Sequence, residues 1–127
     1  MREILFRGKC VDSNEWVEGI AFPHDDRAVT MLRQHPMGGS LEGKEVIPET
    51  VGQYAEMYDD NAEKVFEHDV IQYRGNRMGE VGFYDGCFCV LRNRFLPELL
   101  CDINRDYGFA VIGNIHDNPE LLKGESV

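Results

Sequence analysis

The sequence predicts a mainly-β chain: an N-terminal β-hairpin lobe followed by a C-terminal SH3-like small barrel, with one or two short helices. Three observations predict it. Short runs of alternating apolar residues are divided by Gly, Asp and Asn clusters. The pair Asp85-Gly86 stands between two such runs, and both central residues of a tight hairpin turn want positive φ. A late apolar stretch, residues 110–115, reads as the strand that closes a barrel.

Residues 2–9 alternate, with Ile4 and Phe6 on one face and Glu3, Leu5 and Arg7 on the other. Asp12-Ser13-Asn14 is a turn cluster, and residues 16–22 form the returning strand, with Trp16, the single tryptophan, expected as a core anchor. Residues 23–26 read as a turn and 28–32 as a third strand. Residues 35–40 form a Gly-rich connector without periodicity, and 45–48 a short extended piece that Pro48 stiffens. A helical turn near 49–55 is weakly coded, because Val51 and Gly52 disfavour it. The acidic stretch 56–63 reads as a linker loop, which divides the chain into a lobe (1–55), a barrel (64–122) and a frayed tail (123–127).

In the second half, residues 70–73, 80–84 and 87–91 read as strands, with a turn over 76–79. Leu96, Leu99, Leu100 and Ile103 have helical spacing, which predicts a short helix within 96–105. Asn118 and Pro119 have the residue types of an N-cap and a first helical position, so 118–122 reads as one helical turn. Asp117 and Asn118 are expected to accept its backbone N–H groups.

Composition narrows the function class. The 127 residues carry a net charge of −10, which argues against wholesale wrapping of DNA. The charge is uneven, however. Residues 70–105 hold Arg74, Arg77, Arg92, Arg94 and Arg105 against Glu80, Asp85, Glu98 and Asp102. No apolar run is long enough to span a membrane. The start lacks the long apolar core of a signal peptide, so a cytoplasmic protein is expected, with Cys10, Cys87, Cys89 and Cys101 as thiols.

No catalytic or cofactor signature stands out. Cys87 and Cys89 share a strand face, yet no fourth metal ligand accompanies them and Cys101. His24, His35, His68 and His116 are scattered. Asp59-Asp60-Asn61 lacks the later Gly and Glu of a calcium loop. No Gly-Lys-Ser/Thr follows the run Met37-Gly38-Gly39-Ser40, as a phosphate loop requires. No catalytic, metal or cofactor residue is assigned.

The order of segments resembles the YopX family, small proteins found largely in phages and prophages. The residues that carry the resemblance are the start, Met1-Arg2-Glu3-Ile4-Leu5-Phe6-Arg7, and the central Val51-Gly52-Gln53-Tyr54 with Val65-Phe66-Glu67-His68-Asp69-Val70-Ile71. Gly79-Glu80-Val81 through Asp85-Gly86 follows the family's hairpin. Val111-Ile112-Gly113-Asn114-Ile115-His116-Asp117-Asn118-Pro119-Glu120-Leu121-Leu122 follows its closing motif almost letter for letter. The chain departs from the pattern at Ala55-Glu56-Met57, where Thr-Gly-Leu is usual, and at His68, where Gly is usual. If that Gly serves a positive φ, His68 is strained or the turn is reshaped. The resemblance implies a β-rich fold with an SH3-like C-terminal part and implies no activity.

Two functional classes follow. The first is a non-catalytic protein-interaction or self-association module, with a homo-oligomer as its simplest form and a phage or host protein as the other partner. The second is a nucleic-acid-binding accessory factor that uses Arg74, Arg77, Arg92 and Arg94 interleaved with Tyr73, Phe83, Tyr84 and Phe88.

Overall fold

Side chains two apart on a strand share a face, and the N-terminal half builds its core by that rule. In a computed structural model, which describes residues 4–25, 28–34, 37–92 and 95–123 (the side chain of Asp25 aside), the chain is mainly β. It divides into two units, Met1–Tyr54 and Ala55–Val127.

In the first unit β1 (Phe6–Lys9), β2 (Trp16–Asp25), β3 (Ala28–Gln34) and β4 (Leu41–Val46) form an antiparallel meander. The start of β5 (Gly52–Tyr58) lies on the other side of β1, with Gly52 opposite Arg7. Cys10, Val17, Val29, Met31 and Val46 make the core, backed by Phe6, Ala21 and Val51. Each such aliphatic side chain contributes about 1.5–3 kcal/mol when fully buried. The meander curls back on itself. Cys10 bridges Val46, the Val11 N–H donates to the Glu45 carbonyl at 3.0 Å, and the Ile47 N–H donates to the Lys9 carbonyl at 2.8 Å. The curl needs a bare backbone at Gly19, where an added Cβ would fall onto the Leu32 carbonyl. Thr50 pins the connection, accepting the Lys9 N–H at 2.9 Å and donating to the Ile47 carbonyl at 2.6 Å.

Several elements differ from expectation. Of the anticipated turn at 23–26, residues 23–25 are strand and 26 lies outside the described residues: β2 runs on through Pro23, with an irregularity between Pro23 and Asp25 that absorbs the imino acid. Trp16 is not in the core; it lies half-buried under the Arg7 guanidinium, 4.6 Å from the ring centroid. The helical turn near 49–55 is reduced to a 3₁₀ turn at Pro48–Thr50, followed by β5, whose Tyr54 and Ala55 are buried. The expected linker 56–63 therefore begins as strand.

In the second unit β6 (Lys64–Phe66) neighbours β5. β7 (Asp69–Tyr73), β8 (Arg77–Tyr84), β9 (Cys87–Leu91), β10 (Glu98–Leu99) and β11 (Ala110–Asn114) form a five-stranded antiparallel sheet in the order β10-β9-β8-β7-β11. Helix α1 (Leu100–Asp106) packs Leu100 and Ile103 into a core with Ile71, Val81, Val90 and Phe109. The helix starts after Leu99, which belongs to β10, so Leu96 and Leu99 stay outside it. Asp85 and Gly86 have φ of 55° and 83°, as the hairpin signal requires. The preceding turn falls at 74–76, earlier than expected, because Arg74 and Gly75 both take positive φ.

The core of the second unit is less aromatic than the sequence suggests. Tyr73 and Phe109 are buried, but Phe83 is 54% exposed and stacks edge-on against Phe88 with centroids 5.0 Å apart. The closing strand is an edge strand with Ile112 displaced at a register shift, so it is half-exposed rather than buried.

Two side chains fasten that strand. Buried Asp59 accepts the N–H groups of Asn61 and Glu63 on one oxygen, at 2.9 and 2.8 Å, and that of Val111 on the other at 2.9 Å. Asn114 organises the turn beyond the strand, accepting the His116 and Asp117 N–H groups at 3.0 and 2.9 Å. Asn118 does not cap the final 3₁₀ turn (Pro119–Leu122) as anticipated; it accepts the Asn114 N–H at 3.2 Å. Asp117 takes the Asn114 amide at 3.2 Å. The tail expected to fray lies, beyond Lys123, outside the described residues.

Replacing Asp59 with Ala strips the acceptor from three backbone donors. The expected loss is about 2–4 kcal/mol by chemical denaturation, with faster amide exchange at Val111.

Candidate functional site

Strand ends and turns place Arg74, Arg77 and Arg92, three of the sequence-predicted arginines, at one end of the second unit's sheet. Arg74 sits in the β7–β8 turn, exposed, with its guanidinium 4.6 Å from the Tyr107 ring centroid. Arg77 opens β8 opposite Tyr73. Arg92 follows β9, half-buried, 4.4 Å from the centroid of Phe95. Arg94 lies outside the described residues. Arg105, also in the basic stretch, is held by Asp102 and Asp106, each at 3.1 Å.

Between these cations lies a polar contact that the sequence did not single out. The Tyr73 hydroxyl donates to Glu98 Oε1 at 2.7 Å. Burial pushes the Tyr73 phenol well above the ordinary tyrosine range, the hydrogen bond to Glu98 and its negative charge push it further, and Arg92 and Arg77 draw it partly back. Arg77 and Arg92 thus both act on Tyr73, whose hydroxyl is held in a part-buried contact with Glu98. Part of the signal is present in the charge balance of 70–105, where Glu98 stands among the arginines; its partner across the sheet is not legible from spacing.

The aromatic half of the predicted surface is elsewhere. Phe83 and Tyr84 end β8, six residues or more from Arg77, a separation of roughly 20 Å along an extended strand. Phe83 and Tyr84 are therefore separated from the arginines, and in the second unit Arg74 and Arg92 lie instead over two other exposed aromatics, Tyr107 and Phe95.

Around the β8–β9 hairpin end lies an apolar groove of about 330 Å³, lined by Tyr84, Asp85, Cys87, Cys89, Leu96, Pro97 and Leu99. Leu96 is 87% exposed and Tyr84 62%. Cys87 and Cys89 share this face, and burial with the neighbouring Cys87 raises the Cys89 thiol above its ordinary value, the reverse of an activated nucleophile. All four cysteines are free thiols. Among the described residues no cluster of three His, Cys, Asp or Glu side chains is placed to hold a metal ion, and no helix is long and apolar enough to cross a membrane.

The histidines separate into two situations. His24 Nε2 contacts Thr30 Oγ1 at 2.6 Å across β2 and β3, and His35 lies outside the described residues. His68 and His116, far apart in the sequence, meet with ring centroids 5.2 Å apart. His68 has φ of 77°, so it occupies the left-handed conformation that the family pattern assigns to Gly.

A family model described as YopX protein matches residues 5–123. Among solved structures, the crystal structure of protein EF1440 from Enterococcus faecalis is similar, with a TM-score of 0.60 and 25% sequence identity over 97% of this chain and 100% of that one. No curated protein matches.

The buried phenol gives a measurable signature. Its native ionisation lies above the unfolded one, so its stabilising contribution is complete below the ordinary tyrosine value of about 10 and is lost as pH rises toward the native value. In an ultraviolet titration Tyr73 should remain un-ionised until the chain unfolds, and Tyr73→Phe should reduce the late phase by one tyrosine.

Proposed function

The chain belongs to the YopX family, and from that premise we propose that it is a non-catalytic interaction module of phage or prophage origin that acts in the cytoplasm as a homo-oligomer. The supporting observation is the apolar groove at the β8–β9 hairpin, with Tyr84, Leu96 and Leu99 exposed along it. Its occupant is the same groove of a second copy. A symmetric interface must be self-complementary, and a patch of aromatic and aliphatic side chains meets this condition where a charged patch repels itself. The groove carries one carboxylate, Asp85, on a chain of net charge −10, so it is a place where two copies can meet without opposing several acids. The order of the five-stranded sheet, with its last strand β11 beside its first strand β7, supports an SH3-like description, an architecture that leaves hairpin ends available for docking.

The nucleic-acid reading has less behind it. Arg74 and Arg92 lie against Tyr107 and Phe95, and Phe83 and Tyr84 stand at the far end of β8, so the aromatics that the sequence paired with these arginines do not share one platform with them. The wild-type chain should give no retention of labelled single-stranded DNA at low salt. Salt-sensitive retention that Arg74→Ala with Arg92→Ala abolishes would reinstate that reading.

For self-association the measurement is light scattering across micromolar concentrations. A dimer is expected, weakened at least about tenfold (~1.4 kcal/mol) by Leu96→Asp, a change at an exposed side chain that leaves the core intact. A strictly monomeric wild type removes the proposal.

A further inference from the structure

Away from the groove, His68, Glu80 and His116 bring three titratable side chains together from distant segments. His68 stands in the turn between β6 and β7, Glu80 in the middle of β8, and His116 in the turn beyond β11. The His68 Nδ1 and Glu80 Oε2 are 3.3 Å apart. The His116 ring meets the His68 ring nearly edge-on, at an interplanar angle of 78°. Both His68 and Glu80 side chains are about a quarter exposed, so protons reach them from solvent.

The same histidine holds the closing segment by its backbone. The His68 carbonyl accepts the Ile115 N–H at 3.0 Å, while the His68 N–H donates to the Val81 carbonyl at 2.8 Å. His68 does this from a φ of 77°, a conformation that costs a β-carbon-bearing residue energy. One residue in the left-handed region is thus tied by its ring to Glu80 and by its carbonyl to Ile115.

We propose that the His68–His116 pair is a pH-sensitive latch on residues 115–122. The first proton is taken by His68 and shared with Glu80, which holds the latch shut. The second puts two imidazolium rings against each other and releases Ile115 from the His68 carbonyl. The other charged groups near the pair are placed as follows. Asp69, next in the chain and 1% exposed, accepts the Phe66 N–H at 2.8 Å. Asp117, beside His116, takes the Asn114 amide. Glu67 and Lys64 lie along the segment that leads into His68.

The signs of the two steps are opposite. A histidine paired with a carboxylate titrates above its unfolded value, so its protonation favours the closed form. A histidine beside an imidazolium titrates below its unfolded value, so acidification through that range favours the open form.

The test is an imidazole NMR titration of the full chain from neutral to mildly acidic pH, with amide exchange at Ile115 followed in the same samples. The two rings should titrate at distinct midpoints, His68 above His116. Ile115 should lose protection about tenfold or more as the second proton binds, beyond the intrinsic pH dependence of exchange. His116→Gln should keep Ile115 protected throughout, and Glu80→Gln should lower the His68 midpoint. Identical midpoints for the two rings, or Ile115 protection unchanged across the range, overturns the latch. Both of those readings come from the wild-type chain, so they decide the matter even if a variant fails to fold.

Discussion

The buried carboxylate of Asp59 is the constraint on which the second unit rests. An edge strand has a neighbour on one side, and β11 is also short and interrupted by a register shift at Ile112. Five residues of antiparallel pairing give such a strand little independent stability. Asp59 supplies what pairing does not: one oxygen closes its own turn onto Asn61 and Glu63, and the other accepts the N–H of Val111. The turn after β5 and the start of β11 are thus one hydrogen-bonded object. The far end of the strand is held by the His68 carbonyl and by the Asn114 turn. The long closing motif follows from this, since Asn114, Asp117 and Asn118 are occupied by one another and by backbone N–H groups, which explains their presence without a ligand.

Local contacts occupy several of the charges that the sequence groups together. Arg77 and Arg92 act electrostatically on Tyr73, Arg74 and Arg92 lie over Tyr107 and Phe95, and Arg105 is taken up by Asp102 and Asp106. At the opposite end of β8, exposed Phe83 and Tyr84 stand beside the groove that Leu96 and Leu99 complete. Buried ion-linked networks favour one arrangement over its competitors, whereas exposed aromatic and aliphatic surface favours contact with something else.

Legibility differed by element for identifiable reasons. The Asp85-Gly86 hairpin was readable because its turn is a local matter of two positive φ values. The helix was readable from Leu100 and Ile103, though its start was displaced because Leu99 pairs with Cys89 instead. β4 and β5 were not readable: Leu41–Val46 contains two glutamates, a lysine and a glycine, and becomes strand through its pairing with β3. Trp16 was misplaced because apolar character says that a ring is covered and does not say by what; here the cover is Arg7. The meeting of His68 with His116, and of Tyr73 with Glu98, left no trace in spacing, since each pair comes from distant segments.

By itself, the sequence determined the mainly-β class, the Asp85-Gly86 hairpin, the short helix and the family, because these rest on local backbone preference, residue periodicity and a long specific motif. Tertiary structure decided which arginines are already engaged, which aromatics reach solvent, that the first meander curls back through Cys10 and Val46, and that Asp59 fastens the last strand. The physical reason is common to all four. Each depends on which backbone and side-chain groups become neighbours once strands pair in register, and register is a property of the assembled sheet, not of any single segment.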